Sequence, residues 1–374
     1  MKTQASAIGV LCLLFSILNL RAQESNPKRE DKSHSVLLYT DEDFKPIQLI
    51  GAANDQNYTM GFGFGYSAPI FNKSIMFGPN RFLARIILGR AFIEKPTIIE
   101  LSPSISINGT AFTPLDLRSP NPILGDRPYA FLLTLSTKKS FLDEEKDQIF
   151  TSELNIGVLG TKIGQWVQTK IHENLIRDTA NTPIPKGWDN QISKGGEPTF
   201  LYALSYEKLV CGFNNKNRSL FELKYGLGAT AGYYTGVSAS LSTRLGLLDN
   251  RNWFRNYSQL QNHNGLYGTP SKYSGKARTE AFLFGMIKPV YNVYNELLTG
   301  GFSNQGYRLR DEQTRHLRLE WNLGFGVTIP TCEANNSSLA ISWMLNAGRT
   351  SELNTPYRRA HQWGTINLAY NFGK

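Results

Sequence analysis

Bulky residues alternate with small or polar ones along most of this sequence, and this period of two constrains the fold more than any other feature. Residues 58–66 read YTMGFGFGY, and residues 199–210 continue in the same manner. Successive side chains of a β-strand point to opposite faces of a sheet, so the alternation predicts strands. Helical periodicity is scarce by comparison.

Further stretches share this pattern, and together they predict about ten to thirteen strands of the length found in outer-membrane barrels. They are residues 36–39, 82–93, 129–138, 151–159, 219–227, 228–245, 281–290, 316–329, 339–348 and 364–372. A soluble β-sandwich or jelly roll would show the same alternation. The polar stretches 140–147 and 250–278 are predicted to be loops outside the cell.

The first 23 residues are typical of a secretory signal peptide. Lys2 provides a positive charge, and residues 8–20 (IGVLCLLFSILNL) form a mostly apolar stretch that is too short for a comfortable membrane span. We therefore predict a signal peptide at 1–23 and one barrel domain at 24–374. The mature chain would keep Cys211 and Cys332, either as one disulfide or as two buried free thiols.

The choice between a soluble sandwich and a membrane barrel depends on three features. The chain has a signal peptide, it has no apolar run of transmembrane-helix length, and aromatic residues lie near predicted strand ends. These aromatic residues include Tyr225, Tyr233, Tyr234, Trp343 and Tyr370. The mean hydropathy of -0.31 argues against several membrane helices but suits a barrel with a polar lumen. We predict an all-β fold, a transmembrane antiparallel barrel in the outer membrane.

One segment, residues 161–177 (TKIGQWVQTKIHENLIR), departs from the alternation. Its apolar residues recur every three or four positions, as in an amphipathic helix, at Ile163, Trp166, Val167 and Ile171. Gly164, Gln168 and His172 would form one row beside them, with space for a substrate at the glycine. An imidazole is a base near neutral pH, and an amide can orient a water or a carbonyl. A solvated or packing histidine is the alternative.

Three consecutive carboxylates, Asp41, Glu42 and Asp43, follow the first predicted strand. Such a run is typical of a solvated turn. It also offers oxygen ligands to a hard cation such as Ca²⁺. The spacing is not that of an EF-hand, so a calcium site would need further ligands from elsewhere in the fold.

Four motifs occur in a characteristic order: YTMG at 58–61, DRPYA at 126–130, GVLGTKIGQWVQTKIH at 157–172 and PKGWDNQ at 185–191. As a set they resemble the lipid A 3′-O-deacylase family of Gram-negative outer membranes, and the C-terminal HQWGTINLAYNF is similar to the closing strand of that family. The resemblance implies a barrel of about twelve strands. It also implies a calcium-dependent hydrolase site on the outer-leaflet side, between the barrel wall and a helix formed by a loop.

The resemblance also implies roles for individual residues. His172 matches the catalytic histidine, which acts as the general base, and Gln168 matches a companion residue of the site. Thr59 matches the threonine of the family's Y-T-x-G motif, and Arg118 matches a basic residue of the site. The family's Asn-Asp pair falls within 41–43, where no Asn is present, so the pair could be Thr40-Asp41, Asp41-Glu42 or Glu42-Asp43.

The function implied by the resemblance is hydrolysis of an ester-linked acyl chain of lipid A, of the 3′-acyloxyacyl type. His172 would activate water, and Ca²⁺ held by Asp41, Glu42 and Asp43 would polarise the carbonyl. The partners would be lipopolysaccharide and the outer membrane, with no nucleic acid. The net charge of +10, or +8 without Lys2 and Arg21, suits a substrate that carries phosphates.

Two other functions are consistent with the sequence. One is a phospholipase-like barrel hydrolase, although no Ser adjoins His172. The other is a catalytically degenerate barrel with a structural or transport role. For Asp126-Arg127 and Trp188-Asp189 we favour a structural interpretation, in which an ion pair and a buried Trp fix the loop geometry.

Overall fold

The computed structural model describes residues 33–42, 57–171, 173, 184–215, 218–256, 278–303, 305–332 and 336–372. The predicted signal peptide lies outside these residues. The strands are β1 (His34–Glu42), β2 (Asn57–Ser67), β3 (Ile98–Glu100), β4 (Ser104–Thr113), β5 (Ala130–Asp143), β6 (Gln148–Leu159), β7 (Glu197–Asn215), β8 (Arg218–Gly232), β9 (Tyr234–Asp249), β10 (Glu280–Asn295), β11 (Leu317–Cys332), β12 (Ser337–Arg349) and β13 (His361–Phe372). The α-helices are α1 (Gly78–Leu88), α2 (Arg90–Ile93), α3 (Ile163–Ile171) and α4 (Glu296–Thr299).

Twelve of these strands close into an antiparallel barrel. β1 pairs with both β2 and β13, and the sheet continues from strand to strand until β5 pairs with β4 and β6. The short β3 extends this sheet, because it pairs with the end of β5 beyond β4. The prediction of an all-β barrel of about twelve strands is confirmed. No helix among the described residues is long and apolar enough to cross a membrane.

Side-chain alternation gives the barrel an apolar outer face. Leu38, Phe64, Leu283, Leu323 and Leu368 occupy outward positions and are exposed, as expected of residues that contact lipid acyl chains. The residues between them on each strand face the lumen. This is the period of two that the sequence shows.

The lumen of the described barrel is filled. Apolar side chains from many strands form one buried cluster inside it, including Phe112, Leu201, Phe284, Met344 and Trp363. Other inward-facing side chains form buried ion pairs; in one of these groups, Arg244 binds Glu222 and Glu280. Buried charges are tolerated there because they are paired.

The two ends of the barrel differ. One end, the termini end, carries the start of β1, the end of β13, the short connections 144–147, 216–217 and 333–336, and the long connections 68–103 and 250–279. The other end, the loop end, carries the connections 114–129, 160–196, 296–316 and 350–360. Five of the six connections between the described barrel strands at the loop end have more than ten residues, whereas three of the five at the termini end have four or fewer. Outer-membrane barrels have short periplasmic turns and longer extracellular loops, so we assign the loop end to the outside of the cell.

Three predictions about individual segments are wrong. Residues 82–93, predicted to be a strand, form most of α1 and α2. There an apolar run conceals a helical period, with Asn80 and Ala84 buried one turn apart. In the stretch 140–147, residues 140–143 are the end of β5 and residues 144–147 form a turn at the termini end. In the stretch 250–278, the described residues 250–256 follow β9 at the termini end, and residues 257–277 lie outside the described residues. Cys211 and Cys332 are free, as in the second of the two alternatives for the cysteines, but they are exposed instead of buried.

Candidate functional site

The predicted helix is present as α3, and it packs against the outer wall of the barrel at the loop end. Its contact point is Gly164, where a Cβ atom would lie 2.6 Å from the Cβ of Phe131. Phe131 occupies an outward position on β5, in phase with the exposed Leu135, yet it is fully buried. The expectation that Gly164 leaves space for a substrate is therefore wrong, because Phe131 fills that space.

Gln168 lies one turn further along the same face of α3 and is buried. Its side-chain oxygen accepts a hydrogen bond of 2.8 Å from the indole Nε1–H of Trp188. The Trp188 ring in turn packs against Tyr129, with 4.9 Å between the ring centroids. Because both aromatic rings are buried, they fix the position of the amide.

These contacts belong to one apolar cluster on the outside of the barrel, which we call the outer-wall cluster. Its members come from β2, β4, β5 and two loops, and they are Met60, Ala111, Leu117, Tyr129, Phe131 and Trp188. Val167 of α3 packs against it. The cluster therefore joins the helix to the barrel wall.

The opposite side of α3 carries apolar side chains that are exposed. The side chain of Trp166 is 65% exposed and that of Ile163 is 42% exposed. On the outside of a membrane barrel, such residues contact lipid. The helix thus has one face on the wall and another towards the membrane, with Gln168 on the wall face.

Arg118 lies at the edge of this region. It follows Leu117 of the outer-wall cluster, it is exposed, and its guanidinium Nε donates to Asp116 at 3.1 Å. The backbone N–H of Arg118, together with its side chain, lowers the pKa of Asp116. A permanent positive charge therefore lies beside the cluster and is accessible from solvent.

Asp41 faces the lumen, on the side of the barrel wall opposite to α3. Its carboxylate is buried in the lumen and accepts a 2.6 Å hydrogen bond from the Thr365 hydroxyl of β13. A calcium ion needs several oxygen ligands, and the described residues contain no group of three or more His, Cys, Asp or Glu placed to share one ion. Asp41 therefore does not fit a metal site shared with Gln168.

Several predicted site residues lie wholly or partly outside the described residues. His172 and Asp43 lie outside the described residues, as do the side chains of Thr59 and Glu42. The backbone of Thr59 is in β2, and that of Glu42 pairs with Met60 of the same strand. The described structure thus brings Gln168 and Arg118 to the outer-wall cluster and separates Asp41 from it.

The DRPYA motif connects two loops at the loop end. Arg127 is buried and forms an ion pair with Glu352, while Arg359 donates to Asp126 at 2.6 Å. Asp126 also accepts a hydrogen bond from the backbone N–H of Leu115 at 2.7 Å. These contacts fit the structural interpretation of Asp126-Arg127.

Glu352, which pairs with Arg127, carries a strong pKa shift. Burial raises its pKa, but Arg127, Arg349 and Arg318 outweigh that effect and lower the pKa to about 2. Sequence reasoning missed Glu352 and Arg359, since neither belongs to a motif with a local pattern. It also missed Trp188 as the partner of Gln168, although the PKGWDNQ motif contains it.

A solved structure of a known protein agrees with this architecture. The structure of LpxR from Salmonella typhimurium is similar with a TM-score of 0.65 and 16% identity, covering 91% of this chain and 100% of that one. The beta domain of the Bordetella autotransporter BrkA has a TM-score of 0.39 and 8% identity, covering 91% of this chain and 99% of that one. No curated protein matched by sequence.

A family model decides the assignment. The model described as outer membrane protein LpxR matches residues 9–372, which is nearly the whole chain. The closed barrel and its apolar outer face agree with a location in the outer membrane. The chain therefore belongs to the LpxR family of outer membrane proteins.

Proposed function

We propose that this protein is an esterase that removes an ester-linked acyl chain of the 3′-acyloxyacyl type from lipid A. The observation that carries the proposal is the placement of Gln168 between α3 and the outer wall of the barrel. A site on that wall, at the extracellular end, opens towards the outer leaflet, where an amphiphilic substrate resides. Exposed Ile163 and Trp166 on the same helix would contact its acyl chains.

The chemistry that we propose is attack by an activated water. His172 removes a proton from the water as its oxygen bonds to the ester carbonyl carbon. The tetrahedral intermediate then expels the 3′ oxygen of the sugar as an alkoxide, the imidazolium returns the proton to that oxygen, and the acyloxyacyl chain leaves as a carboxylic acid. Gln168, held by Trp188, orients the imidazole, the water or the carbonyl. Thr59 would assist at the same site.

Positive charge beside the reacting ester serves the same reaction. Negative charge develops on the carbonyl oxygen in the transition state, and a fixed positive group stabilises it. Arg118 is exposed next to the outer-wall cluster and supplies such a group, either to the oxyanion or to a lipid A phosphate.

Calcium forms a separate part of the proposal. Glu42 and Asp43 are the acidic residues that would hold it, since Asp41 binds Thr365 in the lumen. When bound, Ca²⁺ would polarise the ester carbonyl as a Lewis acid. Calorimetric titration of the purified protein with Ca²⁺ tests this point without an activity assay. We expect binding that is lost in Glu42→Gln with Asp43→Asn and retained in Asp41→Asn.

The experiment that tests the proposed function uses purified full-length protein in detergent. Lipid A and a glycerophospholipid are incubated with it separately, and the products are analysed by mass spectrometry. We expect loss of one acyl chain from lipid A, no change in the phospholipid, and no reaction with His172→Ala. Cleavage of the phospholipid instead would indicate a phospholipase-like enzyme, and no cleavage of either lipid would indicate a non-catalytic barrel.

A further inference from the structure

Residues 69–95, which we call the outer collar, form a second helical segment on the outside of the barrel. It comprises two short 3₁₀ helices, Pro69–Lys73 and Ile75–Phe77, followed by α1 and α2. The outer collar connects β2 to β3, so it lies at the termini end, opposite to α3. It packs on β5 and β6: Ala84 and Ile93 cluster with Phe141, and the ring of Phe92 contacts that of Phe150.

The outer collar covers polar groups on the outer wall. Lys139 is on the same outward side of β5 as Leu135, yet it is fully buried, and it binds Asn72 at 2.7 Å and Glu100. Asn80 of α1 donates to the backbone carbonyls of Thr137 and Ser152, at 2.9 and 3.0 Å. Polar groups at outward barrel positions are costly in contact with lipid. The outer collar therefore lies at a depth where the wall would otherwise meet the membrane.

The surface that the outer collar presents away from the barrel is strongly apolar. Its large exposed apolar residues are isoleucines and a methionine, with Ile75 81% exposed and Ile86 62% exposed. The others are Ile70, Met76 and Ile87. Water-exposed patches of this kind are rare on soluble surfaces. The patch continues the apolar outer face of the strands, which contacts acyl chains.

The outer collar is also strongly basic. It contains five bases and one acid, which are Lys73, Arg81, Arg85, Arg90, Lys95 and Glu94. On α1 the charged and apolar residues are segregated. Arg81 and Arg85 lie one turn apart on one flank, while Leu83, Ile86 and Ile87 lie on the other. This distribution is typical of helices that lie in the interface of an anionic membrane.

We propose that the outer collar is a binding site for anionic glycerophospholipids of the periplasmic leaflet. The apolar flank of α1 inserts among acyl chains, and Arg85 and Arg90 bind headgroup phosphates as charge-assisted hydrogen-bond donors. Both arginines are exposed, and Arg90 also pairs with Glu94 at 2.8 Å on the surface. This inference is independent of the proposed hydrolase site, which lies at the opposite end of the barrel.

Native mass spectrometry of the full-length protein tests lipid selectivity. Detergent solutions containing phosphatidylglycerol or zwitterionic phosphatidylcholine are compared at equal concentration. We expect preferential retention of phosphatidylglycerol, weakened roughly tenfold or more in Arg85→Gln with Arg90→Gln. The control, Arg308→Gln with Arg310→Gln, removes the same charge from exposed residues at the loop end and should keep the preference. Equal retention of both lipids by the wild type, or unchanged retention in the first variant, would overturn the proposal.

A second measurement addresses depth in the membrane and does not depend on charge. In a background with Cys211→Ser and Cys332→Ser, an environment-sensitive fluorophore is attached at Ile86→Cys or at Leu124→Cys. Leu124 is the matched control, because it is 79% exposed in the 114–129 loop. In phosphatidylglycerol vesicles we expect a blue-shifted emission, quenched by brominated acyl chains, at position 86 alone. A water-like emission at position 86 would contradict insertion of the outer collar.

Discussion

At the scale of single residues, the contact that most directly affects the candidate site is the hydrogen bond from Trp188 to Gln168. Trp188→Phe keeps an aromatic ring in the buried position but removes the donor. A buried hydrogen bond contributes about 1 to 2 kcal/mol, so we expect roughly a tenfold loss of lipid A hydrolysis.

The control for Trp188→Phe is Trp321→Phe, which removes an indole hydrogen bond to Asn346 on the wall away from α3. It should retain activity. Equal losses in the two variants would show that the Trp188 bond does not position Gln168. The assay is product formation by mass spectrometry, with thermal unfolding measured in parallel.

Glu352 makes the stability of the loop end dependent on pH. Its pKa in the folded protein is about 2, against an ordinary value of 4.5. The carboxylate therefore stabilises the fold fully above pH 4.5, and this contribution disappears as the pH falls towards 2. Glu352→Gln removes the charge at every pH and should cost roughly 3 to 5 kcal/mol at pH 7, because it leaves three arginines without this partner.

Thermal unfolding of wild type and Glu352→Gln at pH 7 and at pH 2.5 measures this effect. The difference between the two proteins should be large at pH 7 and should shrink at pH 2.5. Glu312→Gln, at an exposed carboxylate, is the control and should behave as wild type at both pH values. A difference that does not depend on pH would contradict the assignment of the low pKa to Glu352.

At the scale of secondary-structure elements, the position of α3 depends on close contact at Gly164. Gly164→Ala introduces a Cβ atom 2.6 Å from that of Phe131, so the helix or the ring must move. Overpacking of this kind costs about 1 to 3 kcal/mol. We expect the helix region to be less stable, measured as faster cleavage in limited proteolysis, and we expect reduced hydrolysis of lipid A.

Lys170→Ala is the control, because it introduces alanine on the exposed side of the same helix. It should leave both readouts near the wild-type values. Wild-type behaviour of Gly164→Ala would show that α3 is not held by contact with Phe131.

Most elements could be predicted from the sequence because the barrel faces lipid on one side only, which imposes a strict alternation. The strands β7 and β13 follow that pattern closely. Residues 82–93 of the outer collar read as a strand because most of α1 is apolar. One face of this helix is on the wall and another is exposed and apolar, which leaves only a narrow polar flank at Arg81 and Arg85. Its depth in the membrane depends on tertiary contacts, which a local pattern does not contain.

The candidate site was predictable in part. A helix with a Gly164–Gln168 row was expected from the period of its residues, and the structure contains it. The period of the residues could not predict that this row packs on the outer wall of the barrel, since that depends on the path of the loop over Phe131. The burial of Asp41 in the lumen likewise depends on the register between β1 and β13, which pairs it with Thr365.

At the scale of the whole molecule, the filled lumen predicts a barrel that does not conduct. Apolar side chains such as Phe284 and Trp363 and the paired charges around them fill the described interior. Purified protein incorporated into a planar bilayer should therefore give no discrete current steps at an applied voltage of about 100 mV. Regular steps proportional to the protein concentration would favour a transport role instead.

The central claim, that the outer-wall cluster is the site of lipid A hydrolysis, is tested most directly by the lipid A mass spectrum of cells expressing the protein. Wild type should shift lipid A to a mass lower by one acyl group, and the matched histidine control His316→Ala should do the same. His172→Ala and Gln168→Ala should abolish or strongly reduce the shift at equal protein levels. A full shift with His172→Ala, or no shift with folded wild type in the presence of calcium, would contradict the claim.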